Sequence, residues 1–143
     1  MPVLHECQPM ILIVEGEETV YDVIAKVLTL DGCQTAWARN GAEAIRLTAK
    51  IRPDLVMLDP NLPDRGGVEV LRDLKSIHEN IRAIILAGED APGVARDAAR
   101  HSVLGCFAKP FGLHELGEII RHAFRSGSDS AQDAEDRHVR RAQ

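Results

Sequence analysis

Three charged residues stand directly after apolar segments that are far apart in the chain. Glu15 follows Met10–Val14, Asp59 follows Asp54–Leu58, and Lys109 follows Leu104–Ala108. A carboxylate that ends a buried segment opposite a lysine can act as a nucleophile, because the ammonium group then pairs with the group that is received. An acid in this position also often caps a loop or forms an ion pair, so the residues alone leave both interpretations of Asp59 open.

The segments that carry these residues have the length and composition of buried β-strands. Segments with helical spacing of apolar residues alternate with the strands and begin near Glu17, near Asn40, after the loop that contains Gly66, at Ala91 and at Gly112. The predicted strands are Met10–Val14, Cys33–Trp37, Asp54–Leu58, Ala83–Ala87 and Leu104–Ala108. This alternation predicts a doubly wound α/β domain with a five-stranded parallel sheet. Ligands bind such sheets at the carboxyl ends of the strands, where the three charged residues fall.

Composition limits the classes of function. The chain has 143 residues, a formal net charge of -5 and 45% hydrophobic residues, which is enough for one domain. The negative charge argues against a nucleic-acid partner. The three cysteines lack the spacing of a disulfide framework or a zinc site, and the six histidines suggest no catalytic group. We find no signal peptide and no apolar run of membrane-spanning length, and therefore expect a soluble, cytoplasmic protein without a membrane partner.

The polar ends of the chain suggest domain boundaries. We expect a short N-terminal extension over residues 1–8, a folded domain over 9–125 and a polar, flexible tail over 126–143.

Three segments resemble the signature segments of the response-regulator receiver family. They are Ile11-Leu-Ile-Val-Glu-Gly-Glu17, Pro53-Asp-Leu-Val-Met-Leu-Asp-Pro-Asn-Leu-Pro-Asp-Arg-Gly-Gly67 and Ala108-Lys-Pro-Phe111. Their combined spacing is far more specific than any one short motif. The resemblance implies a flavodoxin-like (βα)5 fold, as in chemotaxis regulators, with strand order 2-1-3-4-5. It also implies that Asp59 is the phosphoacceptor, that Lys109 pairs with the phosphoryl group, and that Asp59 and the backbone carbonyl of Asn61 bind Mg²⁺.

The sequence departs from the family at the metal site. Members of the family usually carry two adjacent acids after the first strand, of which the second contacts Mg²⁺ directly, and here these positions are Glu15 and Gly16. Because Mg²⁺ requires near-octahedral oxygen ligation, we expect its binding to be weak or absent. Glu15 can swing toward the metal or form an ion pair with Lys109, and we favour the ion pair. The loop acids Glu17, Asp64, Glu89 and Asp90 are expected to be solvated rather than ligands.

Two further departures lie at switch positions of the family. Ala87 stands where a Thr or Ser usually binds the new phosphoryl group, and Cys106 stands where an aromatic ring usually turns inward. We expect the usual coupling between phosphorylation of Asp59 and a conformational change to be absent or to involve other residues.

Three functions are therefore compared. The first is a receiver in a phosphorelay, which a histidine kinase or phosphotransfer protein serves and which a downstream protein reads through the fourth and fifth helices. It would be no enzyme beyond self-catalysed phosphotransfer and dephosphorylation. The second is a phosphorylation-independent pseudo-receiver that acts as a protein interaction module. A dehalogenase-type phosphatase is third, because Asn61 replaces its general acid and no cap domain is encoded. No output segment is recognisable after residue 125, so we expect signals to leave through noncovalent contacts.

Overall fold

The computed structural model describes residues 8–87, 103, 105–108, 115–118 and 121. Five strands form one parallel sheet in the order β2-β1-β3-β4-β5, which confirms the predicted strand order. The strands are β1 (Met10–Val14), β2 (Gln34–Ala38), β3 (Leu55–Leu58), β4 (Arg82–Ala87) and β5 (Gly105–Ala108). Three helices have complete bounds, α1 (Glu18–Leu30), α2 (Gly41–Ile51) and α3 (Gly67–Ile77), and residues 115–118 and 121 are also helical.

The two faces of the sheet are covered by different helices. Leu12, Val14, Val56 and Leu58 pack on the face that α2 and α3 cover, together with Leu71 and other buried residues. Their neighbours along the strands, Ile11, Ile13, Leu55 and Met57, pack on the opposite face with Ile24 of α1 and with Leu116. This alternation follows from the period of two in a strand. The fold is the doubly wound, flavodoxin-like α/β arrangement that the sequence predicts.

Most predicted boundaries differ from the observed ones by a residue or two. The second strand begins at Gln34 rather than Cys33, because the Cys33 backbone N–H donates to the Leu28 carbonyl at 3.0 Å and completes the end of α1. Cys33 is buried, and this burial, with a smaller effect from the charge of Asp31, raises the pKa of its thiol. A protonated thiol behaves as the small apolar core residue that its isolation suggests.

Helix α2 begins as the sequence predicts. The side chain of Asn40 is the N-cap and accepts a hydrogen bond of 2.9 Å from the backbone N–H of Glu43. Among the residues that the structure describes, no helix combines the length and apolar character that a membrane crossing requires. The predicted helix from Ala91 to Arg100, the first seven residues and the tail over 126–143 lie outside the described residues.

Candidate functional site

Strand pairing brings Glu15 and Asp59 to the same edge of the sheet. Val14 is paired with Leu58 at the carboxyl ends of β1 and β3. The Asp59 backbone N–H then donates to the Val14 carbonyl at 2.9 Å, and the Glu15 N–H donates to the Ala38 carbonyl at 3.0 Å. Both acids therefore sit just beyond the central strands, where ligands bind in sheets of this kind.

Asp59 is buried and its side chain is held by the loop that follows. Its exposed fraction is 8%, and Oδ1 accepts a 2.9 Å hydrogen bond from the backbone N–H of Asn61. Asn61 in turn forms an isolated antiparallel bridge with Gly66, which folds the loop between β3 and α3 back on itself. This bond restrains the Asp59 carboxylate from the loop side.

Glu15 is buried even more completely than Asp59. Its exposed fraction is 1%, and Oε2 accepts a hydrogen bond of 3.4 Å from the backbone N–H of Glu17. Its backbone carbonyl accepts a shorter bond of 2.8 Å from Nε1 of Trp37. Two buried carboxylates at one edge of a sheet require nearby positive charge, because an isolated buried charge has a large desolvation cost.

Gly16 is exposed, and packing leaves room for a side chain there. A Cβ atom at this position would lie 3.9 Å from the Arg39 carbonyl oxygen and 3.9 Å from Cδ of Pro63, which are ordinary van der Waals distances. The missing acid at position 16 is therefore a feature of the sequence and not a requirement of the surrounding backbone.

Gly67, by contrast, allows no side chain. A Cβ atom there would lie 2.2 Å from Cα of Pro60, a distance that no pair of nonbonded atoms tolerates. The Gly67 backbone N–H also donates to the Pro60 carbonyl at 3.0 Å. The residue directly after Asp59 thus packs against the first turn of α3, and this contact closes the loop tightly around the site.

Asp64 is exposed, which agrees with the expectation of a solvated loop acid, and its carboxylate also caps α2. Oδ1 accepts from the Gly41 backbone N–H at 2.8 Å, and Oδ2 accepts from the Ala42 N–H at 3.0 Å. These bonds use the otherwise unpaired N–H groups of the first helical turn. The hydrogen bond from Gly41 is the main cause that lowers the pKa of Asp64. Arg65 extends the contact with an ion pair of 3.3 Å to Asp73.

The remaining predicted site residues are only partly described. Ala87 ends β4 and is paired with Ala108, the last residue of β5. Lys109, Glu89 and Asp90 fall outside the described residues. Cys106 lies in β5, paired with Ile85. The placement of Ala87 and Cys106 in these strands agrees with the prediction, and their roles stay predictions.

Trp37 is the neighbour of the site that sequence reasoning missed. It is the one tryptophan in the chain, and it lies on β2 one residue before the carboxyl end of that strand. Its ring stacks on Tyr21 with 4.7 Å between centroids and 7° between planes, while the Arg39 guanidinium lies 4.6 Å from the ring centroid. Its place at the end of the predicted second strand, Cys33–Trp37, was the available signal, but only the fold shows the bond to Glu15.

Comparison with known proteins agrees with this geometry. Residues 11–121 match the response regulator receiver domain family, and the chain belongs to it. The chain is 35% identical over 111 residues to sporulation initiation phosphotransferase F of Bacillus subtilis, covering 78% of this chain and 90% of that protein. It is 31% identical to the regulatory protein AtoC of Escherichia coli, covering 92% of this chain but 28% of AtoC.

Solved structures lead to the same family. A response regulator receiver domain protein from Clostridium thermocellum aligns with a TM-score of 0.76 and 26% identity, covering 82% of this chain and 94% of that chain. The chemotaxis response regulator CheY4 of Vibrio cholerae aligns with a TM-score of 0.74 at 21% identity over 80% of this chain and 98% of its own, a likeness of fold alone. Receiver domains are signalling domains of two-component systems rather than conventional enzymes, and they generally use Mg²⁺ for phosphorylation.

Proposed function

We propose that the receiver domain, residues 9–125, acts in a phosphorelay with Asp59 as the phosphoacceptor. The observation that carries this proposal is the burial of Asp59 at the carboxyl end of β3, beside Glu15 and with its carboxylate held by Asn61. An acid that only caps a loop can remain at the surface, whereas Asp59 and Glu15 are both buried at one edge and both carry a desolvation cost. This arrangement is expected of a carboxylate whose charge is balanced by bound cations.

The chemistry is nucleophilic transfer of a phosphoryl group. A carboxylate oxygen of Asp59 attacks the phosphorus of a phosphohistidine, and a new P–O bond forms while the P–N bond breaks. The electron pair of the broken bond returns to the imidazole nitrogen, which takes up a proton. Lys109, which follows β5 in sequence, pairs with the phosphoryl oxygens. Later attack of water on phosphorus releases inorganic phosphate and restores the Asp59 carboxylate.

The candidate ligands are oxygen atoms, which Mg²⁺ prefers, although few of them belong to side chains. Asp59 and the backbone carbonyl of Asn61 would hold the ion, and Glu15 would join them by leaving the ion pair with Lys109 that the sequence favours. Mg²⁺ normally keeps several water ligands as well. Within the described part of the chain no group of three or more His, Cys, Asp or Glu side chains is placed to hold a metal. Mg²⁺ would supply positive charge that neutralises the phosphoryl group during transfer. We expect this binding to be weak because Gly16 offers no carboxylate.

The partners that suit this function are proteins. A histidine kinase or phosphotransfer protein in the cytoplasm would donate the phosphoryl group, and a downstream protein would read the predicted fourth and fifth helices. The net charge of -5 gives no support to a nucleic-acid partner for this domain.

Phosphorylation by a small-molecule donor tests the proposal without a known kinase. Incubation with acetyl phosphate and millimolar Mg²⁺ should add the mass of one phosphoryl group to the intact protein, and Asp59→Asn should abolish the gain. Asp54, which directly precedes β3, is a matched control, and its Oδ2 accepts a bond of 2.9 Å from the Met10 N–H. Asp54→Asn should be phosphorylated like the wild type. Equal mass gain in Asp59→Asn, or no gain in wild type at any Mg²⁺ concentration tested, would contradict the proposal.

The alternative is a pseudo-receiver that binds its partner without phosphorylation. Gly16 favours it, because an exposed glycine replaces an acid that the family places against the metal. Ala87 also favours it, because a methyl group cannot donate to a phosphoryl oxygen. Under this alternative the partner binds wild type and Asp59→Asn with equal affinity. Partner binding that falls after Asp59→Asn and rises after treatment with beryllofluoride rejects it.

A further inference from the structure

Two neighbouring side chains contact the ring of Trp37. Tyr21, on α1, stacks on one face with an interplanar angle of 7°, and the Arg39 guanidinium lies 4.6 Å from the ring centroid. Stacked aromatic pairs and cation–π contacts each stabilise a chosen ring orientation. Because Trp37 is paired with Ile13 in the sheet, its side chain lies on the face that α1 covers.

This ring directs its only hydrogen-bond donor at the acidic segment of the site. Trp37 Nε1 donates to the Glu15 backbone carbonyl at 2.8 Å, a short and therefore well-formed bond. The Glu15 N–H is held by the Ala38 carbonyl at 3.0 Å, so both backbone groups of Glu15 are bound by β2 and its side chains. The indole bond therefore connects β2 to Glu15, which lies one residue beyond the last β1–β2 pair, Val14 and Ala38.

The segment needs such support because of the residue that follows. Gly16 has the largest conformational freedom of any residue type and no side chain that contacts its surroundings. On its other side, the Glu17 N–H reaches Glu15 Oε2 only at 3.4 Å, near the limit of a hydrogen bond. Of these contacts, the bond from Trp37 is the shortest.

We propose that Trp37 is a positioning residue of the receiver site, which holds the Glu15–Gly16–Glu17 segment beside Asp59 through its indole N–H. Trp37 touches no reacting atom and acts through the backbone of Glu15. The inference rests on the proposed role of Asp59 as phosphoacceptor and of Glu15 as a metal ligand. The stack of Tyr21 on Trp37 would thus orient the indole N–H as well as fill space.

Trp37→Phe tests the inference, because phenylalanine keeps an aromatic ring in contact with Tyr21 and Arg39 but lacks the N–H donor. We expect the Mg²⁺ concentration for half-maximal phosphorylation by acetyl phosphate to rise roughly fivefold, the factor for one neutral hydrogen bond. Tyr21→Phe is the matched control, since it keeps the stacked rings, and it should leave this concentration unchanged. A role limited to packing would lower the melting temperature of Trp37→Phe without changing its Mg²⁺ dependence, and that result would overturn the inference.

Amide hydrogen exchange separates this inference from the proposed function. We expect the Glu15 and Glu17 amides to exchange roughly fivefold faster in Trp37→Phe than in wild type or Tyr21→Phe, with or without phosphorylation. If wild type is never phosphorylated, the proposed function fails, and exchange alone then decides whether Trp37 holds the segment. If wild type is phosphorylated and neither exchange nor Mg²⁺ dependence changes in Trp37→Phe, the inference fails while the proposed function stands.

Discussion

The carboxylate of Asp64 and the backbone N–H of Gly41 are joined by a hydrogen bond of 2.8 Å between the β3–α3 loop and the first residue of α2. The loop that follows Asp59 is thereby tied to a helix on the α2 and α3 face of the sheet. A second bond of 3.0 Å from Ala42 makes the contact bidentate. The loop is thus held both at its end by Gly67 and in its middle by Asp64.

Replacement of Asp64 should reduce stability in a pH-dependent way. The folded-state pKa of Asp64 is lowered, chiefly by the Gly41 hydrogen bond, so ionised Asp64 stabilises the fold above its ordinary pKa. This contribution is lost as the pH falls through the lowered folded pKa. We therefore expect Asp64→Asn to melt below wild type at pH 7, and the difference to disappear in strong acid.

Thermal melts of the two proteins from pH 7 down to pH 2 measure this difference. Asp22→Asn, at an exposed site on α1, is the control and should follow wild type throughout. A deficit for Asp64→Asn that stays constant with pH would show that the charge of Asp64 has no role in capping α2.

The contact between Gly67 and Pro60 predicts a sharp difference between two adjacent glycines. Gly67→Ala should lower the free energy of unfolding by about 3 kcal/mol, because its methyl group overlaps the backbone of Pro60. A Cβ atom at Gly66 meets nothing within 4 Å, so Gly66→Ala should stay within about 0.5 kcal/mol of wild type. Urea denaturation measures both, and similar values for the two variants would refute the close approach.

Adding an acid at position 16 should strengthen Mg²⁺ binding. We expect Gly16→Asp to lower the Mg²⁺ concentration for half-maximal phosphorylation by about tenfold, equivalent to about 1.4 kcal/mol from one more carboxylate. Without Mg²⁺ the same variant should be less stable than wild type, because a third acid joins Glu15 and Asp59. Gly16→Asn has the same shape without the charge and is the control. Equal effects of Asp and Asn on Mg²⁺ dependence would reject a direct role for charge.

Thr48 offers a test of the core that does not involve the site. It is fully buried on α2, and its Oγ1 has no hydrogen-bond partner among the described residues. Thr48→Val replaces this hydroxyl with a methyl group of similar size, and we expect the free energy of unfolding to rise by about 1 kcal/mol. Thr29→Val, at an exposed position of α1, controls for the change in helix propensity and should have little effect. Destabilisation by Thr48→Val would instead indicate that the hydroxyl has a partner.

The fold could be predicted from the sequence because its determinants are local. Strands β1 and β3 are short apolar runs, and each described helix has apolar residues at helical spacing between recognisable ends such as Asn40. Strand boundaries were predicted less accurately, because they depend on backbone hydrogen bonds that the sequence does not show. The Cys33 N–H bonds to the Leu28 carbonyl, and the Asp54 N–H bonds to the Met10 carbonyl. The parallel order of the strands required the family resemblance in addition to the alternation.

The site was predictable only in part because its supports are contacts between distant residues. The placement of Glu15 and Asp59 followed from the strands that they end. No local pattern shows that Asp64 caps α2, since its partners precede it by more than a helix length. The same is true of Trp37, which looks in sequence like any aromatic residue of an edge strand and bonds to Glu15 across the ladder.

The room around Gly16 also bears on how this sequence can change over generations. Glycine and aspartate codons are separated by a single base change, and the backbone near Arg39 and Pro63 accepts a side chain without repacking. An acid can therefore arise at this position in one mutational step. A position whose space was filled by neighbouring side chains would need those neighbours to repack as well.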